Sequence, residues 1–220
     1  MGAEVGGGFA TFPNPPENHS PAPVGVLALQ GAYREHISVF VALGVATREV
    51  RLPQHLRGLS GLVIPGGEST TMGLLAREYG LVGPLREFGR NRARWGTCAG
   101  AILLSRHQEG EEESKALTRL GFMDMDVQRN ALGRQVDSFR MDLRIPALDP
   151  FGKGDAPFPS LFIRAPVFTR LNPGGVEVLA TLEGGQVVAA RQGRHLATAF
   201  HPELTEDTRF HRFFLGILGT

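Results

Sequence analysis

Cys98 is the single cysteine of this 220-residue chain, set in Trp95-Gly96-Thr97-Cys98-Ala99-Gly100-Ala101-Ile102-Leu103-Leu104. A strand-like approach, a Gly-x-Cys-x-Gly turn and a helix-forming apolar run make a nucleophile elbow that carries sulfur in place of the commoner serine. Small flanking residues let the chain turn sharply around the thiol. The thiol then projects at a helix N-terminus, whose partial positive charge favours thiolate over thiol. An isolated cysteine is more often a buried apolar residue. The elbow around this one points to a nucleophile.

A nucleophile needs a base, and the second half of the chain offers His201-Pro202-Glu203 after the apolar run Leu196-Ala197-Thr198-Ala199-Phe200. In an extended segment, residues two apart point to the same side. Glu203 would then hold and orient the His201 imidazole, completing a Cys-His-Glu triad. Alone, the tripeptide is usually a loop. Paired with the elbow it gains weight. Pro65-Gly66-Gly67-Glu68-Ser69-Thr70 follows another apolar run. Its glycines let backbone N–H groups approach a ligand, and one of them, with the N–H of Ala99, would form an oxyanion hole. The loop lacks the Gly-Lys-Ser/Thr ending of a phosphate-binding P-loop.

These groups must be carried on elements that bring them together. Val24–Leu29, Thr47–Arg51 and Gly61–Ile64 read as strands, and Tyr33–Leu43, Thr71–Tyr79 and Val82–Asn91 as helices. Such alternation predicts a mostly parallel sheet covered by helices on both faces. The strict polar/apolar alternation of Ser138–Ile145 predicts a half-exposed antiparallel strand. Phe158–Ile163, Val176–Leu182, Val187–Arg191 and Leu196–Phe200 add strands, and Phe210–Leu218 closes the chain as an amphipathic helix. Pro146–Pro159, with its four prolines, reads as a surface loop, and Glu109–Ser114 as an acidic solvated one. The expected class is α/β: three layers, a mostly parallel central sheet flanked by helices, and antiparallel strands in the second half.

Composition narrows the function classes. A chain of this length builds one large domain without disulfide or metal staples. A formal net charge of +1 gives no global field for nucleic acid or an anionic membrane. No apolar run approaches the roughly 20 residues of a membrane span. One cysteine excludes an internal disulfide and agrees with a reducing, cytoplasmic setting. No metal-ligand spacing is present, with neither paired cysteines nor His-x-x-x-His. Residues 1–23, rich in Gly and Pro and without periodicity, read as a disordered extension, and the folded domain as residues 24–220. His36, on the first helix and remote along the chain from the triad, reads as a partly exposed helix histidine, as do His195 and His211.

Several stretches occur together in one order: Gly25-Val26-Leu27-Ala28-Leu29-Gln30-Gly31, Pro65–Thr71, Gly96–Gly100, Arg129-Asn130-Ala131-Leu132-Gly133-Arg134-Gln135, Phe162-Ile163-Arg164-Ala165-Pro166 and His201–Thr205. The set resembles the glutaminase subunits of pyridoxal 5'-phosphate synthase complexes, which are class I (triad) glutamine amidotransferases. The elbow and His-Pro-Glu are common to many triad amidotransferases. The Arg129 and Phe162 stretches narrow the resemblance, which spans Val24 to about Leu218.

The resemblance implies that Cys98 attacks the side-chain amide of L-glutamine, that His201 moves the proton and that Glu203 orients His201. It implies substrate binding by Gly67, Glu68, Ser69, Arg129, Ile163 and Arg164, with the Gly67 N–H facing the oxyanion. It implies no cofactor and a synthase partner that receives the ammonia. It also suggests low activity until that partner docks and orders the oxyanion loop, with Gln30 and Gly31 near the contact. Two rivals remain at this point: a cysteine peptidase or γ-glutamyl hydrolase with the same elbow, and a silent chaperone or sensor with an oxidisable cysteine.

Overall fold

A computed structural model of the protein describes residues 22–108, 119–129 and 138–219. The acidic stretch 109–114, most of the expected N-terminal extension and Asn130–Gln135 lie outside the described residues.

The first half follows the expected alternation. Strand β1 (Val24–Leu27) is buried along its whole length and leads to helix α1 (Tyr33–Ala42). Then come β2 (Thr47–Val50), β3 (Gly61–Ile64), α2 (Ser69–Glu78), α3 (Val82–Asn91), β4 (Ala93–Thr97) and α4 (Ala99–Leu104). The second half is richer in strands: β5 (Ser105–Gln108), β6 (Met123–Gln128), β7 (Ser138–Leu143), β8 (Phe158–Ile163), β9 (Val167–Thr169), β10 (Glu177–Thr181), β11 (Val187–Gln192) and β12 (His195–Thr198). Helix α5 (Arg209–Leu218) ends the fold.

The large sheet runs β2-β1-β3-β4-β12-β11-β9-β6-β5, with β10 also paired to β11. Its first five strands are all parallel, and β11 turns the sheet antiparallel. β7 and β8 pair antiparallel as a separate two-stranded ribbon. Side chains alternate across β4, so Trp95 and Thr97 face one layer and Gly96 the other. Trp95 stacks on Phe210 of α5, with centroids 6.1 Å apart. A Cβ on Gly96 would run into the backbone of Gly100 in α4. The two helices therefore cover opposite faces, as a three-layer α/β fold requires. Trp95, Phe40, Phe158, Phe162, Phe200, Phe210 and Phe214 form the aromatic centre of the core.

Two expectations need correction. Pro146–Pro159 is not simply a surface loop, because Pro146–Phe151 forms a 3-10 turn that fully buries Leu148. Pro146 opens that turn with its φ already set, and Phe151 packs edge-on against Phe213 of α5 at 5.4 Å. Strands β5, β6 and β9 were not expected. β9 is three residues long and β5 reads Ser-Arg-His-Gln, so neither carries an apolar period.

Candidate active site

The carboxyl ends of β3, β4 and β12 meet at one edge of the parallel sheet, the edge where open α/β sheets bind ligands. β4 and β12 are neighbours in register, Thr97 opposite Thr198. The ladder continues one step beyond, where Cys98 N–H donates to Thr198 O at 2.8 Å. Residues far apart in the chain thus leave the sheet side by side.

Cys98 takes φ +47° and ψ −107°, a strained backbone for a residue with a side chain. Ala101 N–H donates to Cys98 O at 3.1 Å, so α4 starts at once. Gly100 makes the turn possible, because a Cβ there would collide with Ile64 O of β3. Cys98 is 7% exposed, and its Sγ lies 3.7 Å from Ile163 O at the end of β8.

His201 is fixed through its backbone as well as its ring. Its N–H donates to Leu161 O at 2.9 Å. Its Nδ1–H donates to Glu203 Oε1 at 2.7 Å, with both residues buried. The pair meets across a 3-10 turn, Pro202–Leu204, and not along an extended strand as expected from spacing. Proline at the first position of that turn imposes the bend. Burial opposes charge on the ring, yet the hydrogen bonds with Cys98 and Glu203 and their negative charge prevail, raising His201 from 6.5 to about 10. Cys98, His201 and Glu203 therefore lie in one hydrogen-bonded line.

The loop after β3 passes directly over this line. A Cβ on Gly66 would collide with His201 Cε1, lie 2.9 Å from Nδ1 and sit 3.3 Å from Cys98 Cβ. Gly66 has no left-handed φ, so the constraint is purely steric. Gly66→Ala is expected to push the imidazole aside and lower turnover by about 10²-fold, the usual cost of a misplacement near 1 Å. Steady-state ammonia release checks it, and a wild-type rate would show that the loop moves away freely.

Of the residues expected to bind substrate, Gly67, Glu68 and Ser69 continue this loop into α2. Ala32 N–H donates to Gly66 O at 3.0 Å, and Glu68 N–H to the Gln30 side chain at 2.7 Å. Glu68 caps α2: its carboxylate accepts from Thr70 N–H, Thr71 N–H and Thr71 Oγ1 at 2.7–3.0 Å. Burial works against that carboxylate, but these donors outweigh it and hold Glu68 at about 2. Arg129, just beyond β6, reaches Glu68 Oε1 at 3.6 Å. Ser69 is buried with its hydroxyl unpartnered. Ile163 brings its carbonyl to Cys98, and exposed Arg164 follows at φ +45°. Ala99 is the first residue of α4, beside the thiol. Among the described residues, no group of three or more His, Cys, Asp or Glu side chains is arranged to hold a metal ion.

The reading of His36, His195 and His211 as partly exposed helix histidines holds in full for none of them. His36 and His211 are fully buried, not partly exposed. His36 Nε2 lies 3.4 Å from Glu203 Oε2, directly behind the carboxylate. His195 lies on β12, not on a helix, and burial lowers it to about 4 with help from Arg94. The missed signal was in the periodicity: His36 stands four residues before buried Phe40, and His211 lies between buried Phe210 and Phe214. Polar residues sat on the core face of two helices.

Comparison with known proteins extends this geometry. A Deinococcus radiodurans protein named pyridoxal 5'-phosphate synthase subunit PdxT is 58% identical over 198 residues, 89% of this chain and 97% of its own. A Thermus thermophilus protein of the same name is 53% identical over 199 residues, again 89% and 97%. A crystal structure described as glutamine amidotransferase superposes with a TM-score of 0.80 at 51% identity, covering 90% of this chain and 99% of that one. PurLQS from Thermotoga maritima, at 13% identity and TM-score 0.64 over 90% of this chain and 100% of its own, shares the fold alone. Residues 26–218 match the SNO glutamine amidotransferase family, and the chain belongs to that family.

Proposed function

We propose that Cys98, His201 and Glu203 hydrolyse L-glutamine to L-glutamate and ammonia, and that the ammonia feeds a synthase subunit making pyridoxal 5'-phosphate. Family membership supports the glutaminase activity, and the relatives' name supports the vitamin B6 destination. The single observation that carries the residue roles is the buried line of thiol, imidazole and carboxylate, with Nδ1–Oε1 at 2.7 Å.

The mechanism follows from that line. His201, raised to about 10, already holds the thiol proton in the resting site, and Glu203 steadies that imidazolium beside the thiolate. Sulfur attacks the side-chain amide carbon of glutamine. The developing oxyanion meets the N–H groups of Ala99 and Gly67, donors typically worth about 10²–10³ in rate. Imidazolium gives its proton to the leaving nitrogen, ammonia departs and a γ-glutamyl thioester remains. Water then loses a proton to His201, attacks the thioester carbon and displaces the thiolate; the proton stays on the imidazole, so the thiolate–imidazolium pair is restored as glutamate leaves. Glu68, Ser69, Ile163 and Gly67 shape the substrate seat. Arg129 and Arg164 suit an α-carboxylate, which a guanidinium grips with paired charge-assisted bonds. Arg129 would exchange its ion pair with Glu68 for the ligand.

Ammonia is useful only if it reaches a second reaction unhydrated, which calls for docking to the synthase. Gln30, which holds Glu68 N–H, is well placed to transmit that docking to the oxyanion loop. A reactive thiol needs reducing surroundings, and we assign the protein to the cytoplasm. Among the described residues no helix is long and apolar enough to cross a membrane.

The test is a product assay on free L-glutamine and a γ-glutamyl peptide, with and without the synthase subunit. Equimolar ammonia and glutamate from free glutamine, faster with the synthase, are expected. Cleavage of the peptide with no ammonia from glutamine would replace this reading with a γ-glutamyl hydrolase. Equal glutaminase rates with and without the synthase would refute the activation.

A further inference from the structure

Four elements place polar side chains in the core beneath Glu203, and the mechanism above uses none of the others. Glu203 spends Oε1 on His201, while Oε2 is buried with no hydrogen bond of ordinary geometry. His36 from α1 faces that oxygen at 3.4 Å through Nε2, which also lies 3.3 Å from Thr97 Oγ1 of β4. His36 Nδ1 lies 3.0 Å from His211 Nε2 of α5. Trp95 walls both rings edge-on, at 5.2 Å from His36 and 4.9 Å from His211, and Phe40 closes the far side of His211 at 5.0 Å. Solvent reaches neither histidine.

The protons in this set can be assigned. Burial, then the charges of His211 and His201, hold His36 well below 6.5, and burial lowers His211 to about 3. Both rings are neutral near neutral pH and carry one N–H each. In one arrangement, His36 Nδ1–H donates to His211. The His36 Nε2 lone pair then faces a carboxylate oxygen, and His211 Nδ1–H is buried without an acceptor. That arrangement pairs a repulsion with an unsatisfied donor, the costly kind of buried orphan. In the other, His211 Nε2–H donates to His36 Nδ1. His36 Nε2–H then points at Glu203 Oε2 and Thr97 Oγ1, and only a bare ring lone pair on His211 goes unused.

We infer that His36, locked by His211 as its Nε2–H tautomer, is a positioning residue that donates to Glu203 Oε2 and fixes the carboxylate against His201. The inference rests on the triad reading given above. A carboxylate held at one oxygen can swing about its terminal bond. Held at both, it aims Oε1 at His201 Nδ1 and so aims the opposite ring nitrogen at Cys98. His36 does for Glu203 what a second-shell partner does for a ligating histidine.

Two measurements on the full-length chain test this. The first is long-range proton–nitrogen NMR of the wild-type imidazoles at neutral pH, where His36 is expected as the neutral Nε2–H form. An Nδ1–H form or an imidazolium at His36 would overturn the inference, whatever the variants do. The second is glutaminase kinetics with the synthase subunit present, normalised to thiols titrated by iodoacetamide. His36→Leu should lower kcat by about 10–10²-fold at unchanged KM, and His36→Gln, whose amide keeps an N–H near the same place, should recover most of it. A structural role alone would lower the titratable fraction and the melting point but leave kcat per thiol intact, and that result overturns the inference. So would equal losses in the two variants. Failure of the triad reading looks different: the wild type itself would release no ammonia from glutamine, while the tautomer assignment would stand.

Discussion

Cys98→Ala should reduce ammonia release from glutamine by at least about 10⁴-fold, measured with the synthase subunit present. The size follows from the role. Deleting the nucleophile of a triad removes covalent catalysis entirely, and what survives is binding and the oxyanion hole. Sulfur is also the atom at the elbow placed to carry the γ-glutamyl group, since Ala99 and the two glycines offer no nucleophile and the hydroxyl of Thr97 is buried against His36 Nε2 at 3.3 Å. The fold should hardly notice. Alanine keeps the Cβ that the φ +47° backbone already tolerates, and when Sγ leaves Ile163 O and the imidazole, His201 is still held by Glu203 Oε1 at 2.7 Å and by Leu161 O at 2.9 Å. Thermal denaturation of the variant should therefore stay close to wild type, so that lost turnover reads as lost chemistry. A variant that keeps the wild-type rate would end the case for a thioester.

The legible part of this site was the part written in adjacent residues. The elbow could be read because Gly100 is compelled by one contact, the approach of Ile64 O, that no other residue allows. His201 and Glu203 could be read because two positions separate them, although the bend is a proline-initiated turn and not a strand. The parallel half of the sheet could be read because β1, β3 and β4 are buried along their whole length and the strands alternate with helices. The His36 arrangement was unreadable for the opposite reason. Its partners Thr97, Glu203 and His211 come from three other elements. Only the folded topology puts α1 and α5 side by side over Trp95. Distance along the chain was the wrong argument against His36, because a parallel sheet gathers its strand ends at one edge. β6 is an intermediate case. Met123-Asp124-Met125-Asp126-Val127 alternates visibly, but its neighbours β5 and β9 have no pattern to confirm a sheet there.

His201→Asn separates holding from proton transfer. The asparagine amide can still donate to Glu203, so the buried carboxylate keeps a partner, but it cannot accept the thiol proton or return it to ammonia. Turnover should fall by about 10²–10⁴-fold, the span general acid–base catalysis contributes. Stability should respond to pH in one direction only. Folding raises His201 from 6.5 to about 10, so the folded state binds its proton more tightly than the unfolded chain does. The stabilisation is complete below the unfolded value and fades as pH rises through the folded one. Urea denaturation of wild type and variant should therefore show a gap that is largest near about pH 6 and narrows toward about pH 10. A gap that widened with pH would mean that His201 is held neutral in the folded protein. The thiol would then have no cationic partner, and proton transfer would have to begin from another group.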